Sequence, residues 1–401
     1  MLAAAPDVRR SLGQAIAWRR QIRKPTEPLR WRRDEFLRFP AARLEAFDAW
    51  AAQARLDGDD LIGASMIVND PAASEYESWI FLPSVLAPEF PERFADAVRH
   101  HRIDAVYTSH VVVWHCLARM LPDLAVKPRL LGAPPAERAK AELDALARRL
   151  DDIPVLAEAG GRPRLSRLHR LAVLKGATAI PGQSGDDKVW MLSEAARTAP
   201  QGDVVEIGSL WGRSAFMLGW LARHYRLGAV LCIDPWSTIE VVQNEASDVV
   251  NQVGAEIDFD NVRDHFLVNM LACFDGGFNA FVGTSEQAHR WYGDPARPPL
   301  ETPWFGCTAY LRSIAILHVD GNHDFDAITR DLDMWTAHVA PGGWVVIDDY
   351  IWPAGDDGPR RAADAFMAKY WDDLSLAVVR GGVLYLRFGS GKTRRGKTRG
   401  G

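Results

Sequence analysis

The residues best suited to binding a charged ligand lie in one stretch, Asp203–Ala215, which reads D-V-V-E-I-G-S-L-W-G-R-S-A. A short β-branched run, typical of a buried parallel strand, leads through Glu206 to Gly208 and Gly212, and a helical pattern follows. Glycine lets the backbone turn sharply, and the free N–H groups at a helix N-terminus favour an anionic group. The stretch therefore predicts a strand, a tight loop and a helix start that form the floor of a pocket for a nucleotide-like ligand.

The glycine spacing separates this loop from the dinucleotide fingerprint. That fingerprint is G-x-G-x-x-G, whereas the pattern here is E-x-G-x-x-x-G, which disfavours a nicotinamide-dependent oxidoreductase. Ser209 or Ser214 is suited to capping the helix that follows. A second acid, Asp234, ends the next apolar run, where it is placed to accept both hydrogen bonds of a ribose diol. A glycine-rich loop with an acid beyond it also occurs as a purely structural turn, and that alternative stays open at this point.

Length and composition limit the possible functions. A chain of 401 residues, 48% of them apolar, predicts two soluble domains with real cores. The formal net charge of −5 argues against general nucleic-acid binding. No run approaches the roughly 18 apolar residues of a membrane span. The four cysteines form no C-x-x-C pair, which indicates neither a zinc site nor a disulfide framework. We expect a cytoplasmic protein without a membrane or nucleic-acid partner, and a surface helix at the arginine-rich N-terminus.

Strand and helix patterns alternate over residues 165–388. Helices are predicted at 187–197, 214–224 and 325–339, strands at 204–207, 230–233, 280–283, 314–320 and 344–350, and a hairpin at 374–379 and 383–388. This order predicts an α/β fold with a Rossmann-like sheet that ends in an antiparallel hairpin.

Short motifs occur in a fixed order through the same region. They are Ile180–Gly182, Val205–Gly208, Gly212–Ser214, Ile233–Pro235, Gly283–Ser285, His318–His323, Asp331, Pro341–Gly343 and Ile347–Tyr350. This order resembles class I S-adenosylmethionine (SAM) methyltransferases, in particular the bacterial family that includes the macrolide-sugar O-methyltransferases and the cephalosporin-hydroxylase-like proteins. Asn322, where that family commonly has an acid, and the insert 290–308 depart from the pattern, and both are expected to affect acceptor choice.

The resemblance implies which residues bind SAM. The methionine part is expected on Glu206 and the loop that follows it, the ribose on Asp234, and the adenine near the end of the third strand. The full set of expected SAM-binding residues is Glu206, Gly208, Ser209, Gly212, Ser214, Asp234, Ser285 and Glu286.

The resemblance also implies a metal triad of Asp320, Asp348 and Asp349. Carboxylates that follow neighbouring parallel strands converge at one edge of the sheet, and such crowding is costly unless a cation neutralises it. Oxygen ligands suit Mg²⁺ or Mn²⁺. The alternative is that these acids only face water.

The expected reaction is transfer of the SAM methyl group to a hydroxyl of a sugar or natural product. A bound cation lowers the pKa of the hydroxyl and orients it, so Asp320 is expected to take part in catalysis. His323 is expected either to take the proton or to cap a helix or orient Asp320. The alternatives are metal-independent methyl transfer and a non-catalytic protein that uses the fold to bind a ligand.

Alternating strand and helix patterns in the first part of the chain predict a separate α/β domain with a parallel sheet over residues 1–135. The rhythm of its strands is similar to that of the domain that precedes ATP-grasp ligases, and its expected role is substrate binding or oligomer formation. His110 and His115 flank an apolar run. They are expected to be satisfied histidines near a strand end, with ligand contact as the alternative. A helical linker is predicted at 136–164, the methyltransferase domain at 165–388 and a disordered basic tail at 389–401.

Overall fold

A computed structural model of the chain describes residues 17–20, 53–54, 60–70, 73–74, 76–151, 160–240, 242–245, 248–351 and 357–391. The chain divides into two compact units, Met1–Ala145 and Leu146–Gly401. Most of the arginine-rich N-terminus and the tail from residue 392 lie outside the described residues. None of the described helices has the length and hydropathy needed to cross a membrane.

The first unit is built on a five-stranded sheet. Its strands are β1 (Ala17–Arg20), β2 (Ile62–Ser65), β3 (Ser78–Phe81), β4 (Ile103–Tyr107) and β5 (Arg129–Leu131), in the order β3-β2-β1-β4-β5, and its helices are α1 (Phe90–His101), α2 (Val111–Met120) and the start of α3 (Pro135–Asp151). The core holds Ile62, Phe90, Phe94 and Val106.

Two expectations for this unit are wrong. Residues 17–20 form a strand instead of a helix, and that strand runs antiparallel to both β2 and β4, so the sheet is mixed. The physical reason is that a segment lying between two strands satisfies its backbone donors and acceptors on both sides by pairing with them.

His110 has a local structural role, because its Nδ1 accepts a hydrogen bond from the N–H of Val113 and caps α2.

The second unit contains nine strands and eight helices among the described residues. Its strands are β6 (Asp203–Ile207), β7 (Val230–Asp234), β8 (Phe278–Val282), β9 (Leu300–Thr302), β10 (Gly306–Thr308), β11 (Ile314–Val319), β12 (Val339–Ile347), β13 (Leu374–Arg380) and β14 (Val383–Phe388). Its helices are α4 (Arg167–Ala179), α5 (Asp186–Thr198), α6 (Arg213–Tyr225), α7 (Asp248–Glu256), α8 (Phe259–Leu271), α9 (Ser285–Gly293), α10 (Phe325–Trp335) and α11 (Gly358–Tyr370).

Seven of these strands form one sheet in the order β13-β14-β12-β11-β6-β7-β8. The strands from β12 to β8 are parallel, and β13 and β14 form an antiparallel hairpin at the edge. One buried apolar cluster covers each face of the sheet, which is why β6 and β7 are buried along their whole length. The predicted α/β sheet with a C-terminal hairpin is confirmed.

Two boundaries differ from those expected. The helix predicted at 325–339 ends at Trp335, and β12 already begins at Val339, because Val339 pairs with Ile314 of β11 and must be extended. The insert 290–308 contains the small sheet of β9 and β10. The side-chain amide of Asn279 on β8 holds this sheet by donating to the carbonyl oxygens of Leu300 and Gly306.

The strand order reverses between β6 and its neighbour β11. The chain moves from β6 to β7 and β8 on one side, and it returns to β11 and β12 on the other. Ligands of open α/β sheets bind outside the carboxyl ends of the strands at such a point. The loops after β6, β7, β11 and β12 therefore surround the expected binding crevice.

Candidate active site

A cavity of about 640 Å³ opens at the carboxyl ends of these strands. Every residue expected to bind SAM or metal lines this cavity, with one exception. The expected residues that line it are Gly208, Ser209, Gly212, Ser214, Asp234, Ser285, Glu286, Asp320, His323, Asp348 and Asp349. Residues as far apart in sequence as Gly208 and Asp349 thus share one ligand-sized space.

Gly208 stands where two backbones nearly touch. Its N–H donates to the carbonyl of Ile233, while the N–H of Asp320 donates to the carbonyl of Ile207, each at 2.8 Å. Gly208 has φ +83°, and a Cβ added there would lie 2.0 Å from the carbonyl oxygen of Asp320. Only glycine fits, because both the backbone conformation and the space exclude a side chain.

Asp234 holds the loop in shape. One carboxylate oxygen accepts the N–H groups of Ser209 and Leu210, each at 2.9 Å, and the other accepts the N–H of Trp236 at 2.7 Å. Burial raises the pKa of this carboxyl, and the three backbone donors act in the opposite direction. A carboxylate has about four lone-pair sites, so one is left for a ribose hydroxyl. The expected two-pronged contact with a diol is thus reduced to a single one.

The start of α6 is open to the cavity. Gly212 is its N-cap and no side chain caps it, so the expected capping by Ser209 or Ser214 is wrong. The Ser209 hydroxyl donates instead to Glu206 at 2.7 Å. The uncapped N–H groups of a helix start suit an anion such as a carboxylate.

Glu206 is the exception, because it does not line the cavity. Its side chain has no solvent exposure. One carboxylate oxygen accepts the hydroxyl of Ser209, and the other lies 3.1 Å from Nδ1 of His318. The expectation that Glu206 contacts the methionine part of SAM is therefore corrected: it supports the loop from below.

Asp331 joins the side of the cavity that Ser285 and Glu286 line. The Ser285 hydroxyl accepts the indole N–H of Trp335 at 2.9 Å and also bonds the Asp331 carboxyl. Burial raises the pKa of Asp331 to about 7, against the lowering effect of that bond. The motif order contained Asp331, but only the structure places its carboxyl in this cavity.

The three expected metal ligands divide into two groups that share Asp320. One group consists of His318, Asp320 and Asp348, and the other of Asp320, His323 and Asp349; within each group the donor atoms lie within 4.8 Å of one another. Carboxylate oxygens with an imidazole suit a divalent cation. The donor sets thus fit a metal ion, but not as the single triad expected.

Lys188 lies against the first group. Its ammonium is 3.2 Å from Oδ2 of Asp320 and also bonds Oδ2 of Asp348, and its side chain is only 2% exposed. Burial alone would lower its pKa, but the two carboxylates raise it above its usual range. Burial would likewise raise the pKa of Asp348, but the Lys188 ammonium holds it well below its usual range. For Asp320, burial and the Asp348 carboxylate raise the pKa.

Two histidines complete the acidic side. Nε2 of His318 is buried without a hydrogen-bond partner among the described residues, 3.8 Å from Asp348 and 3.9 Å from Asp320. Nε2 of His323 lies 2.8 Å from Oδ2 of Asp349, and its Nδ1 lies 3.1 Å from Oε1 of Gln243. His323 therefore contacts Asp349 rather than orienting Asp320.

A comparison with protein families shows which domain model this region matches. Residues 205–350 match the model of a family described as a methyltransferase domain. The second unit therefore contains a region that is similar to a methyltransferase domain. The matched range runs from Val205 in β6 to Tyr350, so it includes both the glycine loop and the three aspartates.

Solved structures are similar to this chain at low sequence identity. The O-methyltransferase NovP is 16% identical, with 63% of this chain and 99% of that chain covered and a TM-score of 0.39. CalS11, a TDP-rhamnose 3′-O-methyltransferase of calicheamicin biosynthesis, is 14% identical, with 65% and 97% covered and a TM-score of 0.34. TomG from Streptomyces achromogenes, in complex with SAM, is 15% identical, with 62% and 98% covered and a TM-score of 0.34. No match is found among curated proteins.

Sequence reasoning missed two residues of the site, Lys188 and His318. Lys188 stands in the first turn of α5, which the sequence predicts only as a helix, and His318 lies inside the apolar run of β11. A histidine within an otherwise apolar strand can indicate a site residue, because a buried imidazole needs a polar partner nearby. No comparable signal marks Lys188, since a lysine near a helix start is ordinarily exposed.

Proposed function

We propose that the protein transfers the methyl group of SAM to a hydroxyl of a small molecule, a sugar or natural product, with the help of a divalent cation. One observation carries the proposal: the glycine loop with the open start of α6 and the cluster of aspartates line the same cavity. A donor seated on the loop would then lie beside a cluster of carboxylates suited to activating a hydroxyl.

The proposed donor side uses the residues around Gly208. The uncapped N–H groups at the start of α6 suit the carboxylate of the methionine part, and the remaining lone pair of Asp234 suits a ribose hydroxyl. Ser285 and Glu286 are proposed to approach the adenine. Arg213 holds the loop before α5 at the rim, because its guanidinium donates to the carbonyl oxygens of Ile180 and Ser184.

The proposed acceptor side lies at the aspartates Asp320, Asp348 and Asp349, and Mg²⁺ or Mn²⁺ is proposed to bind at this cluster. Such an ion, when bound, lowers the pKa of an acceptor hydroxyl and fixes its direction. The protein's own contribution is to hold donor and acceptor in line, which supplies much of the rate of a two-substrate reaction.

His323 is better suited to positioning than to accepting a proton. Its ring nitrogens face Asp349 and Gln243, so a substrate hydroxyl can reach either nitrogen only after one of these contacts opens. The geometry supports a role in orienting Asp349 next to Asp320. Asp320 is the aspartate common to both donor groups, which makes it the central residue of the proposed acceptor side.

Metal-independent methyl transfer is a second candidate, and one observation favours it. The ammonium of Lys188 already neutralises Asp320 and Asp348. Positive charge beside an acceptor hydroxyl is thus present without any ion.

Calorimetry and a methyl-transfer assay test these proposals. The full chain is titrated with SAM and with S-adenosylhomocysteine, and labelled methyl incorporation is then measured on sugars and hydroxylated natural products. We expect both SAM and S-adenosylhomocysteine to bind. We also expect EDTA to lower the rate of methyl transfer at least about tenfold and Mg²⁺ to restore it. Absence of SAM binding would refute the proposal, and transfer that EDTA leaves unchanged would favour the metal-independent route.

Variants refine the assay. Asp320→Asn should lower transfer strongly while SAM still binds, because Asp320 belongs to the proposed acceptor side. Asp275→Asn is the matched control, since Asp275 is exposed and does not line the cavity. Equal activity of the two variants would contradict a role for Asp320 in the reaction.

A further inference from the structure

Lys188 reaches into the aspartate cluster from a different element of the fold. It is the third residue of α5, whereas Asp320 and Asp348 follow β11 and β12. Its ammonium bonds one carboxylate oxygen of each aspartate, and with 2% exposure the side chain is almost completely enclosed. The ammonium thus bridges the two carboxylates, as a bound cation would.

The position of the ammonium distinguishes the two donor groups. In the group of His318, Asp320 and Asp348, the two carboxylates are already paired with Lys188. The second group shares Asp320 with the first. Its other two members, His323 and Asp349, form a hydrogen bond with each other at 2.8 Å. A divalent ion entering the first group would meet the ammonium at close range, and like charges that close repel strongly.

Lys188 cannot simply swing out of the way. Its side chain is enclosed, and its backbone N–H is fixed at the start of α5 by the carbonyl of Gly185. Moving the ammonium off the two carboxylates without reaching water would leave a buried, unpaired charge, which is costly.

We propose that Lys188 is a built-in counter-ion that excludes a divalent cation from the Asp320–Asp348 pair and restricts it to the group of Asp320, His323 and Asp349. Lys188 is then a positioning residue that decides where the ion sits. The proposal rests on the proposed function for its catalytic meaning, but it concerns ion binding and can be tested without methyl transfer. Under this proposal, Asp348 pairs with Lys188 and does not bind the metal ion.

Removal of the lysine charge is the first test. The full-length variants Lys188→Met and Lys188→Gln are titrated with Mn²⁺, and bound ion is measured by electron paramagnetic resonance and calorimetry. We expect each to bind Mn²⁺ at least about tenfold more tightly than the unaltered chain, because the two carboxylates lose their counter-ion. Lys188→Arg, which keeps the charge, should show no gain. The matched control is Lys175→Met, since Lys175 is exposed on α4 and does not line the cavity.

A purely structural role for Lys188 would not tighten ion binding. Unchanged or weaker Mn²⁺ binding in both neutral variants would overturn the proposal. The second test keeps Lys188 in place and so does not depend on how those variants fold.

The second test compares the two adjacent aspartates. We expect Asp349→Asn to weaken Mn²⁺ binding at least about tenfold and Asp348→Asn to change it less than about threefold. Equal losses in both variants, or a larger loss in Asp348→Asn, would overturn the proposal. Failure of the proposed function has a different signature, the absence of SAM binding, and neither ion titration requires SAM.

Discussion

The Nδ1–H group of His318 donates to the carboxylate of Glu206 at 3.1 Å, and neither side chain is exposed to solvent. The second carboxylate oxygen of Glu206 accepts the hydroxyl of Ser209, while Nε2 of His318 faces Asp320 and Asp348. A buried polar chain therefore runs beneath the cavity from the glycine loop to the aspartates. It ties β6 to β11, the pair of strands between which the strand order reverses.

Glu206 should matter for stability more than for SAM affinity. Glu206→Ala leaves the buried Nδ1–H of His318 unpaired, and we expect a loss of about 2–4 kcal/mol in the free energy of unfolding. Glu206→Gln keeps an acceptor and should lose less. Urea unfolding and SAM calorimetry measure the two effects. If Glu206→Gln unfolds normally but loses SAM binding tenfold or more, Glu206 contacts the cofactor directly after all.

Asp234 should determine SAM affinity through the loop. Asp234→Asn replaces one accepting oxygen by an NH₂ group that faces backbone donors, so the contacts of Ser209, Leu210 or Trp236 are lost. Hydrogen bonds to a charged group are worth roughly 1.5–3 kcal/mol, so we expect SAM to bind at least about tenfold more weakly in calorimetry. Asp275→Asn again serves as the control. Unchanged SAM affinity in Asp234→Asn would mean that the loop keeps its shape without this carboxylate.

Gly208 should tolerate no side chain. Gly208→Ala places a methyl group 2.0 Å from the Asp320 carbonyl oxygen at φ +83°, so we expect a loss of at least about 2 kcal/mol in the free energy of unfolding, together with loss of SAM binding. Gly276→Ala is the matched control, since a Cβ there meets nothing within 4 Å. Similar unfolding curves for the two variants would contradict the close approach of the two backbones.

Asp331 should make stability depend on pH. Because burial raises its pKa to about 7, the folded protein holds a proton that the unfolded chain has already released between pH 4 and 7. The contribution is fully present below the unfolded pKa of 3.8 and is lost as pH rises through about 7. Relative to Asp331→Asn, the unaltered chain should lose up to about 4 kcal/mol over this range, as measured by urea unfolding at pH 4, 5, 6, 7 and 8. Parallel stability curves for the two proteins would show that Asp331 ionises normally.

The sequence alone determined the fold class and most elements of the second unit. The β-branched runs of β6 and β7, the glycines after β6 and the hairpin glycines are local signals, because each depends on the backbone preferences of a few adjacent residues. They predicted the strands, the turn of the loop and the antiparallel edge of the sheet. The sequence predicted the N-terminal unit less well, because the strand β1 forms only where β2 and β4 lie on either side of it to pair with its backbone.

Only the tertiary structure decided which charged groups meet. Lys188 of α5 and His318 of β11 lie next to Asp320 because α5 packs against β11 in the folded chain. The sequence around neither residue indicates this contact. The same holds for Glu206, whose place at the end of a strand predicted a ligand contact. The pleat of β6 turned its side chain to His318 and away from the cavity, since residues that alternate along a strand face opposite sides of the sheet.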